Sequence, residues 1–342
     1  MSLISLRSDD QEPTDSQLAS APPTVVGIGN FDGLHQGHMA LIKAVKRAAE
    51  TRGLCPSVLT FDPHPLRFFR GEQGPRLIYS TEDRVSLLER HGVERVHLQH
   101  FDRGFASLSP ADFVERLLVG RLKARHVVVG HDFAFGARRA GNVETLRALG
   151  AKHGLHVEVI EAQRASAAHR GEEAPIFSST WIRALLSEGE VSTAAQALGR
   201  VYHLRGTVRR GHQRGRELGF PTANLELASE ICPHPGVYAG WLDWGEGPQA
   251  SVISVGDNPT INQTHTLARQ QRWSIEAHVL QDASASHWLE LYDLPVVLWF
   301  SERLRAMEAF SGLEALKAQI MADSEAASAH AATRPAPEWP TV

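Results

Sequence analysis

The chain has 342 residues, 42% of them hydrophobic and 22% charged, with 28 Gly, 18 Pro and a formal net charge of -4. At about 150 residues per domain this length favours two domains over one core, and the composition excludes fibrous, collagen-like and wholly disordered chains. No apolar stretch reaches the roughly 20 residues of a membrane span, and the acidic balance argues against a general binder of nucleic acid or anionic membrane. Anionic ligands must therefore be met by local clusters.

The opening stretch MSLISLRSDDQEPTDSQLASAPP has neither the apolar core nor the cleavage site of a secretory signal, and residues 1–23 are expected to form a disordered leader. Cys55 and Cys232 stand 177 positions apart without CxxC spacing, so two buried, reduced thiols in a cytoplasmic chain are expected. From residue 24 to about 187, short apolar runs (TVVGIG, PSVLTF, RVHLQ, RHVVVG, HVEVI) alternate with helical patterns over 37–52, 80–91, 109–120 and 142–153. Ser80 with Asp83, and Ser109 before Pro110, mark helix starts, and Val143, Leu146 and Leu149 form one buried face. This alternation predicts an α/β domain with a parallel sheet covered on both sides, its ligands at the carboxyl ends of the strands.

After a helical stretch near 178–199 the pattern changes. Segments 202–210, 236–244, 250–256, 273–280 and 294–300 read as strands with no helix between them, which predicts a small antiparallel barrel or sandwich. LPVVLWF suits a buried strand. Ser311 with Glu314 resembles a capping box, followed by Leu313, Leu316 and Ile320 on one helix face. Beyond Asp323 the Ala-, Pro- and Ser-rich residues 323–342 lack periodicity and are expected to be a disordered tail.

Chemistry concentrates first in GNFDGLHQGH, residues 29–38, where a strand ends and a helix begins. A helix N-terminus offers unpaired N–H groups and a positive dipole end to phosphate. Gly33 and Gly37 allow close backbone approach, and His35 and His38 can donate to phosphate oxygens. No third ligand has metal-site spacing, and no Ser or Cys nucleophile accompanies the pair, so direct in-line displacement is the expected chemistry. In SSTWIR, Ser178, Ser179 and Thr180 can open a helix whose first turn carries Arg183. In HDFAFG, Asp132 can hydrogen-bond a ligand, and Phe133 or Phe135 can pack on a ring or simply fill the core.

GNFDGLHQGH, together with TFDPHP (60–65), VVVGHDFAFG (127–136) and SSTWIR (178–183), resembles the HxGH nucleotidyltransferases, and within them the FMN adenylyltransferase half of bacterial bifunctional FAD synthetases. The resemblance implies a Rossmann-like domain over 24–187, with Gly29, Phe31, Asp32 and Gly33 lining the nucleotide and Arg183 steadying the triphosphate. Ala134 stands where the commoner family pattern has Arg.

Residues 206–225, GTVRRGHQRGRELGFPTANL, combine Gly211, Gly215 and Gly219 with Arg209, Arg210, Arg214 and Arg216 in a cationic loop that lacks the Walker A pattern. Thr222 and Asn224 alternate on one face of an extended segment, so both oxygens can reach one Mg²⁺. RGRELGFPTANL is similar to the riboflavin kinase signature, and PGVYAG, SVGDNPT, SIEAHVL and FSGLEALKAQI follow in that family's order. Val201 stands where many relatives have Pro.

That second resemblance implies a six-stranded barrel over 201–322 behind a linker at 188–200, with Glu276 as base and Gly211, Arg216 and Gly219 on the nucleotide. Riboflavin, FMN and ATP are the implied partners and FAD the final product, with oligomeric state open. A monofunctional adenylyltransferase and a non-catalytic flavin sensor are the rival readings. Retention of Thr222, Asn224 and Glu276 speaks against the first, and the retained histidines and carboxylate against the second. Few of the 18 histidines fall in motifs, and most of the others are expected at the surface.

Overall fold

The computed structural model describes residues 2–6, 22–166, 174–210, 220–227, 230–257, 273–280 and 291–341. They divide into two compact units: Met1–Arg76 with Ser80–Ser179, and Leu77–Tyr79 with Thr180–Val342.

The first unit is built on β1 (Ser2–Leu6), β2 (Thr24–Ile28), β3 (Cys55–Asp62), β4 (Arg95–His100), β5 (Ala124–Gly130) and β6 (His156–Ile160). They pair in the order β1-β4-β3-β2-β5-β6, every pair parallel. Their near-continuous apolar character follows from burial on both faces, and all five residues of β2 are buried. Helices α1 (Gln36–Arg52), α2 (Thr81–Arg90) and α3 (Val143–Lys152) connect them. The Ser80 hydroxyl accepts from Asp83 N at 3.0 Å and the Ser109 hydroxyl from Asp112 N at 3.0 Å, as the sequence predicts. The helix expected over 109–120 adopts π pitch from Phe113 to Arg121. Phe113, Val114, Leu117 and Leu118 are buried there, a spacing either pitch satisfies.

Part of the expected leader is structured. Residues 2–6 form β1, which pairs with β4 so that Leu6, only 3% exposed, joins the core; residues 7–21 lie outside the described residues. Cys55 and Cys232 are buried free thiols, as expected.

The second unit opens with α4 (Ser179–Glu188) and α5 (Val191–Leu198), its first residue being Thr180. The expected linker at 188–200 is therefore largely a helix: α5 packs on the barrel, and the Ser192 hydroxyl donates to Ser301 O at 3.1 Å. Strands β7 (Tyr202–Arg209), β8 (Ala223–Leu227), β9 (Gly236–Asp243), β10 (Gln249–Asp257), β11 (Trp273–Val279) and β12 (Pro295–Arg305) close a barrel in the order β10-β11-β8-β7-β12-β9. Neighbouring strands are antiparallel. At Gly240 of β9 a Cβ would lie 1.8 Å from Trp299 O, so only glycine permits this approach of β12.

Helix α6 (Leu313–Thr333) runs ten residues beyond Asp323, where the sequence predicts a disordered tail. Its contact with the barrel combines polar links with small alanines: Arg305 Nη2 donates to Asp323 at 2.7 Å, His330 meets Ser301 Oγ and Glu302, each at 2.8 Å, Ala327 is buried and Ala331 packs against Trp241, Val297 and Trp299. Apolar periodicity could not reveal such a seam. The predicted capping box does not form, because Gly312 takes the N-cap without a side-chain bond, and Leu313 is 52% exposed. Beyond the helix, Trp339 O accepts from Trp299 Nε1 at 3.1 Å.

Several histidines expected at the surface are instead buried, among them His97, His126 and His203. Burial pushes His97 from 6.5 down to about 4, with the charges of Arg95 and Arg121 adding to the shift. A depressed histidine leaves the unfolded chain binding the proton first, so stability is present above pH 6.5 and lost as pH falls toward 4. His97 alone should remove about 3 kcal/mol over that window. Urea unfolding of the first unit at both ends of the window should show it, and His97→Leu should flatten the dependence; an unchanged slope in that variant would count against this assignment.

Candidate active sites

Strands β3, β2 and β5 lie side by side and run parallel, so the loops after their carboxyl ends reach one edge of the sheet. Those loops carry TFDPHP, GNFDGLHQGH and HDFAFG, and the fold thus brings together motifs far apart in sequence.

Gly29 N donates to Leu59 O at 3.2 Å, and a Cβ at Gly29 would meet the Phe31 ring at 3.2 Å. The chain then turns through three residues of positive φ: Phe31 at 50°, Gly33 at 82° and Leu34 at 38°. Phe31 and Leu34 are wholly buried and Asp32 is 1% exposed, so tertiary contacts hold a backbone that bulky residues rarely adopt. His35 caps α1, its Nδ1 accepting from His38 N at 3.4 Å. That role leaves Nδ1 unprotonated and puts the proton of the neutral ring on Nε2. The His35 and His38 rings stack at 3.7 Å, and Phe31 lies 5.2 Å from His38.

Ser179 Oγ donates to Asp32 O at 2.8 Å, tying the start of α4 to this loop, while Ser178 is half-buried beside it. Thr180 is exposed and Arg183 half-buried, and both belong to the second unit. Asp132 is exposed. Phe133 stacks on Phe135 at 5.4 Å and packs against the core, which favours the packing reading of the aromatics.

Sequence reasoning missed the residues beneath the loop. Arg84 of α2, 2% exposed, donates to Asn30 O at 2.9 Å, Phe61 O at 3.1 Å and Thr81 Oγ1 at 3.1 Å; Thr60 Oγ1 also donates to Asn30 O at 3.1 Å. Burial lowers the Arg84 pKa from its usual value, and the carboxylates of Asp32 and Asp62 oppose that shift. In the run TEDRV three charged residues ahead of a valine look like an ordinary solvated helix face, so nothing in the sequence marked Arg84.

The second site follows from barrel register. On β11, Ile275, Ala277 and Val279 are buried, so Glu276 and His278 share the opposite face. Glu276 pairs with Asn224 of β8, and Thr222 Oγ1 donates to Glu276 Oε2 at 3.2 Å. His278 Nδ1 lies 2.8 Å from Pro221 O, steadying the PTAN segment where it enters β8. Arg209 binds Glu226 at 2.7 Å, a link between neighbouring strands. Gly211, Arg216 and Gly219 lie outside the described residues, as do the last three residues of SVGDNPT. Among the described residues no group of three or more His, Cys, Asp or Glu side chains is arranged for a metal, and no helix is long and apolar enough to cross a membrane.

A Rossmann-like HxGH domain with histidines at a helix N-terminus, followed by a closed barrel presenting Thr, Asn and Glu on one face, defines a two-domain nucleotide-dependent transferase. The family described as FAD synthetase matches residues 17–170, and that described as riboflavin kinase matches residues 198–331. The bifunctional riboflavin kinase/FMN adenylyltransferase of Escherichia coli (strain K12) is 33% identical over 309 residues, covering 90% of this chain and 93% of that protein. The protein of the same description from Bacillus subtilis (strain 168) is 33% identical, over 89% and 91%. A crystal structure from Streptococcus pneumoniae, described as a macrolide-efflux protein, has a TM-score of 0.79 at 26% identity and covers 95% of this chain and 99% of that one. The chain belongs to the family of bifunctional riboflavin kinase/FMN adenylyltransferases.

At Gly37 a Cβ would stand 3.1 Å from the His35 ring and from Phe177 O. Gly37→Ala should therefore displace His35 and lower FMN-to-FAD turnover about tenfold or more without affecting FMN formation. Chromatographic separation of FMN and FAD checks this, and parental FAD formation would contradict it.

Proposed function

We propose that the two reactions of this family are divided between the units of this chain. ATP and riboflavin give FMN and ADP at the Glu276 face of the barrel, and ATP and FMN give FAD and pyrophosphate at the His35–His38 loop. The observation that supports this reading is a set of convergent polar groups in each unit. One is a helix N-terminus capped by a stacked histidine pair, and the other is an acid, hydroxyl and amide in register on β8, its approach and β11.

In the kinase step the Glu276 carboxylate accepts the proton of riboflavin's primary hydroxyl. That oxygen attacks the γ-phosphate, and the bond to the β-phosphate oxygen breaks to release ADP. General-base assistance of this kind supplies about 10² to 10⁴ in rate. Thr222 and Asn224 present hard oxygen donors beside Glu276 and fit Mg²⁺; when bound, the ion neutralises phosphate charge. Gly211, Arg216 and Gly219 are assigned to the nucleotide phosphates.

In the adenylyl step an FMN phosphate oxygen attacks the α-phosphate of ATP and pyrophosphate departs, with no covalent enzyme intermediate. His35, His38 and Arg183 stabilise the charge that develops on the leaving group. Gly29, Phe31, Asp32, Gly33, Ser178, Ser179 and Thr180 shape the phosphate cradle, and Asp132 and Phe133 border it. Because both steps consume ATP, we place the enzyme in the cytoplasm.

Glu276→Ala should block FMN formation while leaving FMN-to-FAD conversion intact, and His38→Ala should do the reverse. Each variant is assayed separately with riboflavin and with FMN. Loss of both steps in a folded single variant would show that the two-site assignment is wrong.

A further inference from the structure

We propose that Arg84 is a positioning residue for adenylyl transfer, acting through the Asn30–Phe31 peptide on the histidine pair. The proposal rests on the assignment of that pair to FAD formation.

A fully buried arginine is costly, and apolar replacements of buried ion pairs often leave a fold equally or more stable. Arg84 carries that cost with only partial compensation from Asp32 and Asp62: it is 2% exposed, and its Nε has no hydrogen-bond partner among the described residues. What it obtains is geometric. One planar fork reaches Asn30 O past the end of β2, Phe61 O near the end of β3 and Thr81 Oγ1 at the start of α2. A lysine ammonium is a point charge and cannot reproduce that fork.

Asn30 O belongs to the peptide whose plane sets the φ of Phe31, and it accepts from both Arg84 and Thr60. With that carbonyl held on two sides, Phe31 stays at a φ of 50° with its ring buried. The ring in turn lies 5.2 Å from His38, which stacks at 3.7 Å on His35. Release of the carbonyl lets the peptide rotate, relaxes Phe31 toward negative φ and withdraws the surface against which His38 rests. Displacement of a reacting group by about 1 Å is enough to cost about 100-fold in rate.

The test uses the full-length protein. Arg84→Lys keeps the charge but not the fork, and should lower kcat for FMN-to-FAD conversion about 100-fold, with the KM for FMN within about twofold. Thr60→Val, which removes only the second donor, should lose about tenfold. The double variant should lose less than the product of the two, since both act on one carbonyl. Riboflavin phosphorylation should be unchanged throughout. A folded Arg84→Lys protein with parental kcat overturns the proposal, as does a loss appearing wholly in KM. If Arg84→Lys fails to fold, Thr60→Val decides alone, and parental kcat in that variant overturns it. Unaltered FAD formation in His38→Ala would instead overturn the site assignment, which separates the two failures.

Discussion

Between the end of β2 and the start of α1 the chain must leave a strand buried on every residue and enter a helix with its N–H groups still facing outward. It does so in seven residues, with Phe31 and Leu34 in left-handed backbone and both side chains wholly buried. This turn is the constraint on which the first site depends. A glycine-rich turn could follow the same path at less strain but would be mobile. Bulky residues locked into it by the core make the turn rigid in advance, and on the proposed assignment that rigidity is what makes its electrostatic stabilisation useful to a transition state. Asn30 O, held by Arg84 and Thr60, and Asp32 O, held by Ser179, fix its backbone at two points.

The barrel solves the same problem by different means. There the positioning comes from strand register, because a side chain on β11 has little freedom once Ile275, Ala277 and Val279 are committed to the interior. Glu276 then faces Asn224 across the ladder and receives the Thr222 hydroxyl. On the proposed assignment one unit builds its phosphate chemistry at a helix terminus and the other on a sheet face, which is why net charge gives no sign of either. On that assignment a chain of net charge -4 meets anionic substrates through oriented backbone dipoles and a few local cations rather than through a basic surface.

Much of this was legible in the sequence because it follows from local rules. Continuous apolar runs marked the parallel strands, Ser80 and Ser109 marked helix starts, HxGH sat where a strand gives way to a helix, and PTAN read as an extended segment. What escaped involved polar residues used inside. Asp323 with Arg305, and His330 with Ser301 and Glu302, dock α6 through polar contacts, so its continuation lacked an apolar stripe. Residues 2–6 gain their strand only by pairing with β4, some ninety positions later. Arg84 looked like surface charge. Residues such as these are defined by the partner that buries them, and no window of neighbouring sequence contains that partner.

The central claim is that one chain transfers two different phosphorus groups to one flavin, by direct displacement, in sequence. It is tested most directly by supplying riboflavin with ATP labelled at either the α- or the γ-phosphate and following label into FMN, FAD, pyrophosphate and protein. The account predicts γ-label in FMN, both α- and γ-derived label in FAD, and none on the protein. FAD that lacks either label, or a labelled protein formed at the rate of turnover, would contradict it.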